Sequence, residues 1–196
     1  MRKGERRKQE LIQIAYRLFI SRGYDNTSVD DIIEEAGIAK GTYYYYFESK
    51  EKTLEEVIDM MMEQEAEAAG SVLNADIPVE QKIAGIITSF QPTQKEETIE
   101  GVLMRPENTV MHAKVKQKLI ETAVPLLSEV IEEGVKEGVF SCDDIPQRVR
   151  MLLVISNDTF DEGRFSERDI AVFIDVTEKL LGAKPGTMNF LRELIG

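Results

Sequence analysis

The stretch TSVDDIIEEAGIAKGTYYYYFESK, residues 27–50, decides the fold. Thr27 or Ser28 caps a helix whose Val29, Ile32, Ile33 and Ala36 fall at i, i+3, i+4 and i+7, the apolar stripe of a helix facing a core. Asp30 and Asp31 occupy its first turn, where a carboxylate suits the positive end of the dipole. Gly37 stands where a helix ends on a left-handed residue, and Ile38 is the apolar residue that packs back over the turn. A second helix is predicted over 39–47. Its Tyr43 and Phe47, four apart, point inward, while Lys40 and Tyr44, also four apart, point out. This is the pattern of a DNA-reading helix-turn-helix: a cation and small residues for base edges, then phenolic hydroxyls for phosphate oxygens.

Taken singly, these features have plainer readings. Four consecutive tyrosines suit an aromatic patch in a helical core, and a lysine at a helix start suits solvent. The capped helix, the Ala36-Gly37 turn, Lys40 and the closing Phe47-x-x-Lys50 are independent of one another, and their co-occurrence favours DNA binding.

The order of these residues resembles the TetR family of one-component bacterial repressors over about residues 8–60. The matching features are Thr27 before the second helix, the turn at Ala36 and Gly37, Lys40-Gly41-Thr42 opening the reading helix, and Tyr44, Tyr46, Phe47 and Lys50 in a Y-x-Y-F-x-x-K run. The resemblance implies that Lys40, Gly41, Thr42 and Tyr44 approach base edges or nearby backbone, and that Thr27, Tyr45, Tyr46 and Lys50 hold phosphates. Tyr43 departs from the family, which usually places an aliphatic residue there; a buried phenol needs a hydrogen-bond partner.

Ahead of this unit, Leu11, Ile14, Ala15, Leu18 and Phe19 form the stripe of a first helix, with Gly23 at its end and Tyr24 positioned to pack back. Ser49 can cap a fourth helix, whose Leu54, Val57, Ile58 and Met61 continue an apolar stripe toward Gly70 and join the head to the C-terminal body. The expected division is a helix-turn-helix domain over 1–52 and a helical effector-binding and dimerisation domain over 53–196. The fold class is all-α, with about nine helices in total.

The formal charge of −12 resolves on division. Residues 1–52 hold 10 Lys and Arg against 9 Asp and Glu, and the remainder holds 14 against 27. A near-neutral head on an acidic body argues against indiscriminate coating of nucleic acid, since phosphate attraction supplies most non-specific affinity. Arg2, Lys3, Arg6, Arg7 and Lys8 form a local basic arm, read equally as a solvated tail or as phosphate contacts. With 13 Gly and 6 Pro the chain reads as helical throughout. The single cysteine, Cys142, excludes an internal disulfide. No signal-like run or stretch of about 20 apolar residues is present, so a cytoplasmic location without membrane association is expected.

Beyond residue 71 the spacing predicts helices near 78–90, 97–112, 115–137, 145–161 and 166–182, with Pro125 kinking or breaking the third. In the last, Ile170, Phe173, Ile174, Leu180 and Leu181 share one apolar face while Val172 and Val176 lie on another. A helix apolar on two sides is explained by a partner subunit, or by a wide stripe buried within one chain. The dimerisation candidates are Leu153, Phe173, Ile174, Thr177, Leu180 and Leu181, with the helix near 147–160 completing a four-helix interface as the resemblance implies.

No catalytic constellation is apparent. The one histidine, His112, and the one cysteine lie on different predicted segments, and the carboxylates show no metal-ligand spacing, so neither enzyme activity nor a metal or other cofactor is expected. By the resemblance, the body holds a small-molecule effector. Phe90, Met104, Met111, His112, Met151, Ile155 and Phe160 are the wall candidates, since thioethers and aromatics adapt to varied ligands. The acidic body favours a neutral or cationic effector. The expected function is a ligand-responsive regulator, a repressor released from a palindromic double-stranded DNA operator, acting as a homodimer. The rival readings are an architectural or recruitment protein that binds DNA without an effector, and a helical enzyme with a degenerate DNA motif.

Overall fold

Capping chemistry sets where the first elements begin and end. The computed structural model describes residues 3–91, 108–160 and 165–195, and nine helices lie among them. We number these α1 (Lys3–Arg22), α2 (Val29–Ala36), α3 (Lys40–Tyr46), α4 (Lys50–Leu73), α5 (Val79–Ser89), α6 (Thr109–Lys136), α7 (Ile145–Phe160), α8 (Glu167–Leu181) and α9 (Leu191–Ile195). Ser28, not Thr27, caps α2. Its hydroxyl accepts from Asp31 N while the Asp31 carboxylate accepts from Ser28 N, a reciprocal capping box. Gly37 closes α2 in the left-handed region at φ 59°, and Ile38 N donates to Ile33 O at 3.2 Å, as the turn requires.

The chain forms two compact units, one of residues 1–63 with 92–118, the other of 64–91 with 119–196. In the first, Leu11, Ile12, Ala15, Leu18 and Phe19 of α1, Ile32 of α2, Tyr43 of α3, Phe47, and Leu54, Val57 and Ile58 of α4 are buried. Phe19 and Tyr24 meet edge to face at 5.2 Å, so Tyr24 packs back over the end of α1. The unit boundary falls inside α4, whereas the sequence pattern places the whole of that helix from residue 53 in the second domain. It also falls inside α6, whose first turns belong with the head.

The second unit is built around Val79, Ile83 and Ile86 of α5, Leu127, Val130 and Ile131 of α6, Val149 and Leu152 of α7, and Ile170, Phe173, Ile174 and Leu181 of α8. Lys82, almost wholly buried, donates from α5 to both carboxylate oxygens of Glu133 on α6, each at 2.8 Å. Val139 and Phe140 tuck back after α6, with the Phe140 ring against Gly134. Gly182 ends α8 at φ 63° with Ser141 backbone where a Cβ would stand, so no other residue fits there. Beyond it, buried Glu178 accepts from Gly186 N at 2.8 Å and Met188 N at 3.0 Å, pinning the C-terminal turns and α9.

Two helix boundaries differ from expectation. Most of the 97–112 segment lies outside the described residues, and its end, 109–112, is the first turn of α6. That helix starts at Thr109 and runs through Pro125 without ending. Pro125 is exposed, where a carbonyl deprived of its donor can bond to water. The helix α9 was not expected.

Candidate DNA-binding site

The reading face follows from which side of α3 the core takes. Tyr43 is fully buried, and its phenol pairs with Thr53 Oγ1 of α4 at 2.5 Å, the partner a phenol at this aliphatic position needs. Burial pushes its pKa up, partly offset by the Thr53 hydrogen bond. The ring also packs on Phe47 at 5.5 Å and edge-on to Tyr44 at 5.3 Å. With Tyr43 and Phe47 inward, Lys40, Gly41, Tyr44 and Tyr45 turn outward. Tyr44 is 48% and Tyr45 80% exposed, two large phenols left in solvent without a core role. Thr42 and Tyr46 are half-buried, the Tyr46 hydroxyl lying beside Gly4 near the start of α1.

Lys40 Nζ reaches back across the turn to Asp30 Oδ1 at 3.0 Å, and this contact raises the lysine pKa. Further along, Arg7 pairs with Glu10 at 2.9 Å and donates to the Ala36 carbonyl at 3.3 Å, and Lys8 pairs with Glu56 at 2.6 Å. Those two cations of the basic arm therefore hold α1 to α2 and α4. Arg6 is exposed beside Glu10, and Arg2 lies outside the described residues.

Two residues expected to hold phosphates make internal ties. Thr27 is fully buried, and its hydroxyl donates to the Gly23 carbonyl at 2.8 Å. Lys50 donates to the carbonyls of Tyr24 at 2.7 Å and Thr27 at 2.9 Å, and its ammonium lies 4.1 Å over the Tyr24 ring. The Tyr24 phenol is pushed up to about 12, first by burial and then by neighbouring Glu51, to which it hydrogen-bonds. A signal for Lys50 was present: a cation in the first turn of a helix opposes the dipole and needs a partner elsewhere.

Sequence reasoning also missed how the start of α6 returns to the head. Asn108, fully buried, accepts from Tyr24 N; Lys114 pairs with Glu55 at 3.0 Å and Lys118 with Asp59 at 2.6 Å on α4. Glu55, held between Lys52 and Lys114, is lowered to about 2.

The effector candidates fall in both compact units. Met111 and His112 belong to the first unit, with Met111 fully buried, and Met104 lies outside the described residues. Phe90 and Phe160 pack against the body core, Phe160 edge-on to Phe165 and Phe173 at 5.1 and 5.2 Å. Met151 and Ile155 point outward, 58% and 41% exposed. The dimerisation candidates Phe173, Ile174, Thr177 and Leu181 are buried in the chain's own core, and Leu153 and Leu180 are half-buried. A residue already buried in one chain offers a partner nothing. The large apolar side chains left exposed on α7 and α8 are Met151, Val154, Ile155 and Val172.

Comparison with known proteins agrees with the head geometry. Residues 11–57 match the family described as bacterial regulatory proteins, tetR family. Residues 11–57 thus form a TetR-family DNA-binding domain. It is 29% identical over 157 residues to the HTH-type transcriptional repressor KstR2 of Rhodococcus jostii, covering 74% of each chain. Among solved structures it is similar to RolR in complex with resorcinol, with TM-score 0.69 and 20% identity over 99% of this chain and 95% of that one. It is also similar to the fatty acid degradation regulator FadR from Bacillus halodurans, with TM-score 0.60 and 23% identity over 90% and 95%. These structural likenesses extend the TetR fold through the body. The protein is thus a DNA-binding transcriptional regulator, and no described helix is long and apolar enough to cross a membrane.

Proposed function

We propose that this TetR-family protein is a homodimeric, cytoplasmic repressor that leaves a palindromic operator when a small molecule binds its body. The observation that carries the reading is the outward row Lys40, Tyr44 and Tyr45, held in register by buried Tyr43 and Phe47. Lys40, Gly41, Thr42 and Tyr44 face base edges or nearby backbone, and Tyr45 and Tyr46 face phosphates. Thr27 and Lys50 hold the turn that presents them. The protein works by binding and carries no catalysis of its own.

The partner surface is the outer face of α7 and α8. Met151, Val154 and Ile155 recur at i, i+3 and i+4, and Val172 adds to them from α8. Two copies of this pair bury both faces, and two-fold symmetry then gives two half-sites.

Support for an effector is chemical. Asn157 Nδ2 on α7 is buried without a hydrogen-bond partner among the described residues, an amide that an acceptor on a ligand would satisfy. Phe90 and Phe160 remain as wall candidates in the body. RolR, a neighbour in fold, is known with bound resorcinol, and the acidic body favours a neutral or cationic effector. The helices α4 and α6 each run from one compact unit into the other, so a change in the body has two continuous levers on the head.

Operator affinity measured with and without a confirmed body ligand tests this. Ligand should weaken operator binding by about 1–3 kcal/mol, and operator should weaken ligand binding by the same factor. Equal affinities would leave a DNA-binding recruitment protein without a sensor.

A further inference from the structure

The reading helix opens against its own dipole. Lys40 is the first residue of α3, a cation at the positive end, and Ala39 before it supplies no side-chain cap. Its ammonium is turned to Asp30 Oδ1 at 3.0 Å. Asp30 is not required for the start of α2, where Ser28 and Asp31 make the capping box and Asp31 also faces Arg22 at 3.5 Å. Of the two adjacent acids, one therefore serves the helix and the other serves the reading lysine. The side chains of Lys40 and Asp30 are 62% and 73% exposed, and such a pair adds little to stability. Its consequence falls on whatever approaches the reading face.

Sequence-blind binding comes from cations that neutralise phosphates, whereas a lysine reads sequence at the O6 and N7 edge of guanine. A lysine bound to a carboxylate is a poor phosphate cation, because a phosphate must displace the carboxylate and then sit beside it. A base edge that accepts both in position and in direction can replace the carboxylate.

We propose that Asp30 is a specificity-determining residue, a positioning carboxylate that cancels the charge of Lys40 on arbitrary DNA and yields it only where a base-edge acceptor is in reach. This rests on the reading of α3 as the recognition helix. The acid lowers affinity for wrong duplexes more than for the right one.

The test uses the full chain with four variants, Asp30→Asn, Asp30→Glu, Lys40→Ala and the double variant Asp30→Asn/Lys40→Ala. Fluorescence anisotropy measures binding to a duplex selected from random DNA and to its scrambled counterpart, across a salt series. Asp30→Asn should raise affinity for the scrambled duplex about fivefold while leaving the selected duplex within about twofold. The salt slope on scrambled DNA should steepen by about 0.9 per head. Asp30→Glu should restore the native ratio, and Asp30→Asn should change nothing once Lys40 is alanine. An unchanged ratio and slope in Asp30→Asn would overturn the proposal, as would the same gain with Lys40 absent, since Asp30 then acts through its own field. If the native protein prefers no duplex, the reading of α3 fails first and this role falls with it; a native preference with an inert Asp30 overturns only the role. The capping box survives Asp30→Asn, and unchanged thermal unfolding confirms that the comparison is between folded proteins.

Discussion

Replacing Lys50 by methionine should destabilise the DNA-free protein by about 3 kcal/mol. The lysine joins three parts of the head: its ammonium donates to the Tyr24 carbonyl at 2.7 Å and the Thr27 carbonyl at 2.9 Å while lying 4.1 Å over the Tyr24 ring. A hydrogen bond to a charged group contributes about 1.5–3 kcal/mol, and a cation over an aromatic face about 0.5–1 kcal/mol at an exposed site. Lys50 is half-buried, so the lower end applies, and the two hydrogen bonds alone come to about 3 kcal/mol. Methionine keeps the apolar stem, which removes packing as the cause, and its thioether cannot donate to either carbonyl. For a chain of this size, each kcal/mol lowers Tm by about 2–4 °C, which places the expected fall at about 6–12 °C. Thermal unfolding followed by far-ultraviolet circular dichroism without DNA reads it, alongside operator affinity at a temperature where both proteins are folded. An unchanged Tm, combined with uniformly weaker binding to all duplexes and a flatter salt dependence, would mean that Lys50 holds a phosphate and does not brace the turn.

Lys40→Ala should lower specific affinity by about 1–3 kcal/mol and relax preference at one position in each half-site, read by binding to single-substitution operator variants. Met151→Glu and Val172→Glu should yield folded monomers in sedimentation, because these side chains are exposed on one chain, whereas Phe173→Glu should unfold the body, because that ring is buried within it. Acid should loosen the contact of α6 with α4: Glu55 sits at about 2 in the folded protein, so its stabilising effect is complete above the ordinary carboxylate range and is lost as pH falls through about 2. Glu55→Gln should remove that part of the acid dependence, measured as unfolding midpoints across a pH series.

Most of the head was legible because its signals are local. The cap at Ser28, the left-handed Gly37 and the inward pair Tyr43 and Phe47 act within a few residues of one another, and periodicity reports them directly. The internal contacts of Thr27 and Lys50 were not legible for the opposite reason. Their partners, the Gly23, Tyr24 and Thr27 carbonyls, are main-chain atoms whose positions depend on how α1 and α4 meet. The same holds for Asn108, whose contact with Tyr24 N spans 84 residues. In the body, α8 announced two apolar faces, yet periodicity does not say which face the chain keeps. The body core takes Phe173, Ile174 and Leu181 and leaves Val172 exposed. The effector wall candidates were chosen by residue type alone, and type does not say that Met111 is buried in the first unit while Met151 is exposed on the second.

Selection of bound duplexes from random DNA by the full-length protein, repeated with Lys40→Ala, addresses the reading helix most directly. The native chain should enrich a palindrome with two half-sites spaced for two major grooves on one face of the duplex, and the variant should lose preference at one symmetric pair of positions while retaining the half-site spacing. Enrichment of no sequence by the native protein, or an identical palindrome from Lys40→Ala, would contradict the assignment of α3 as the element that reads DNA.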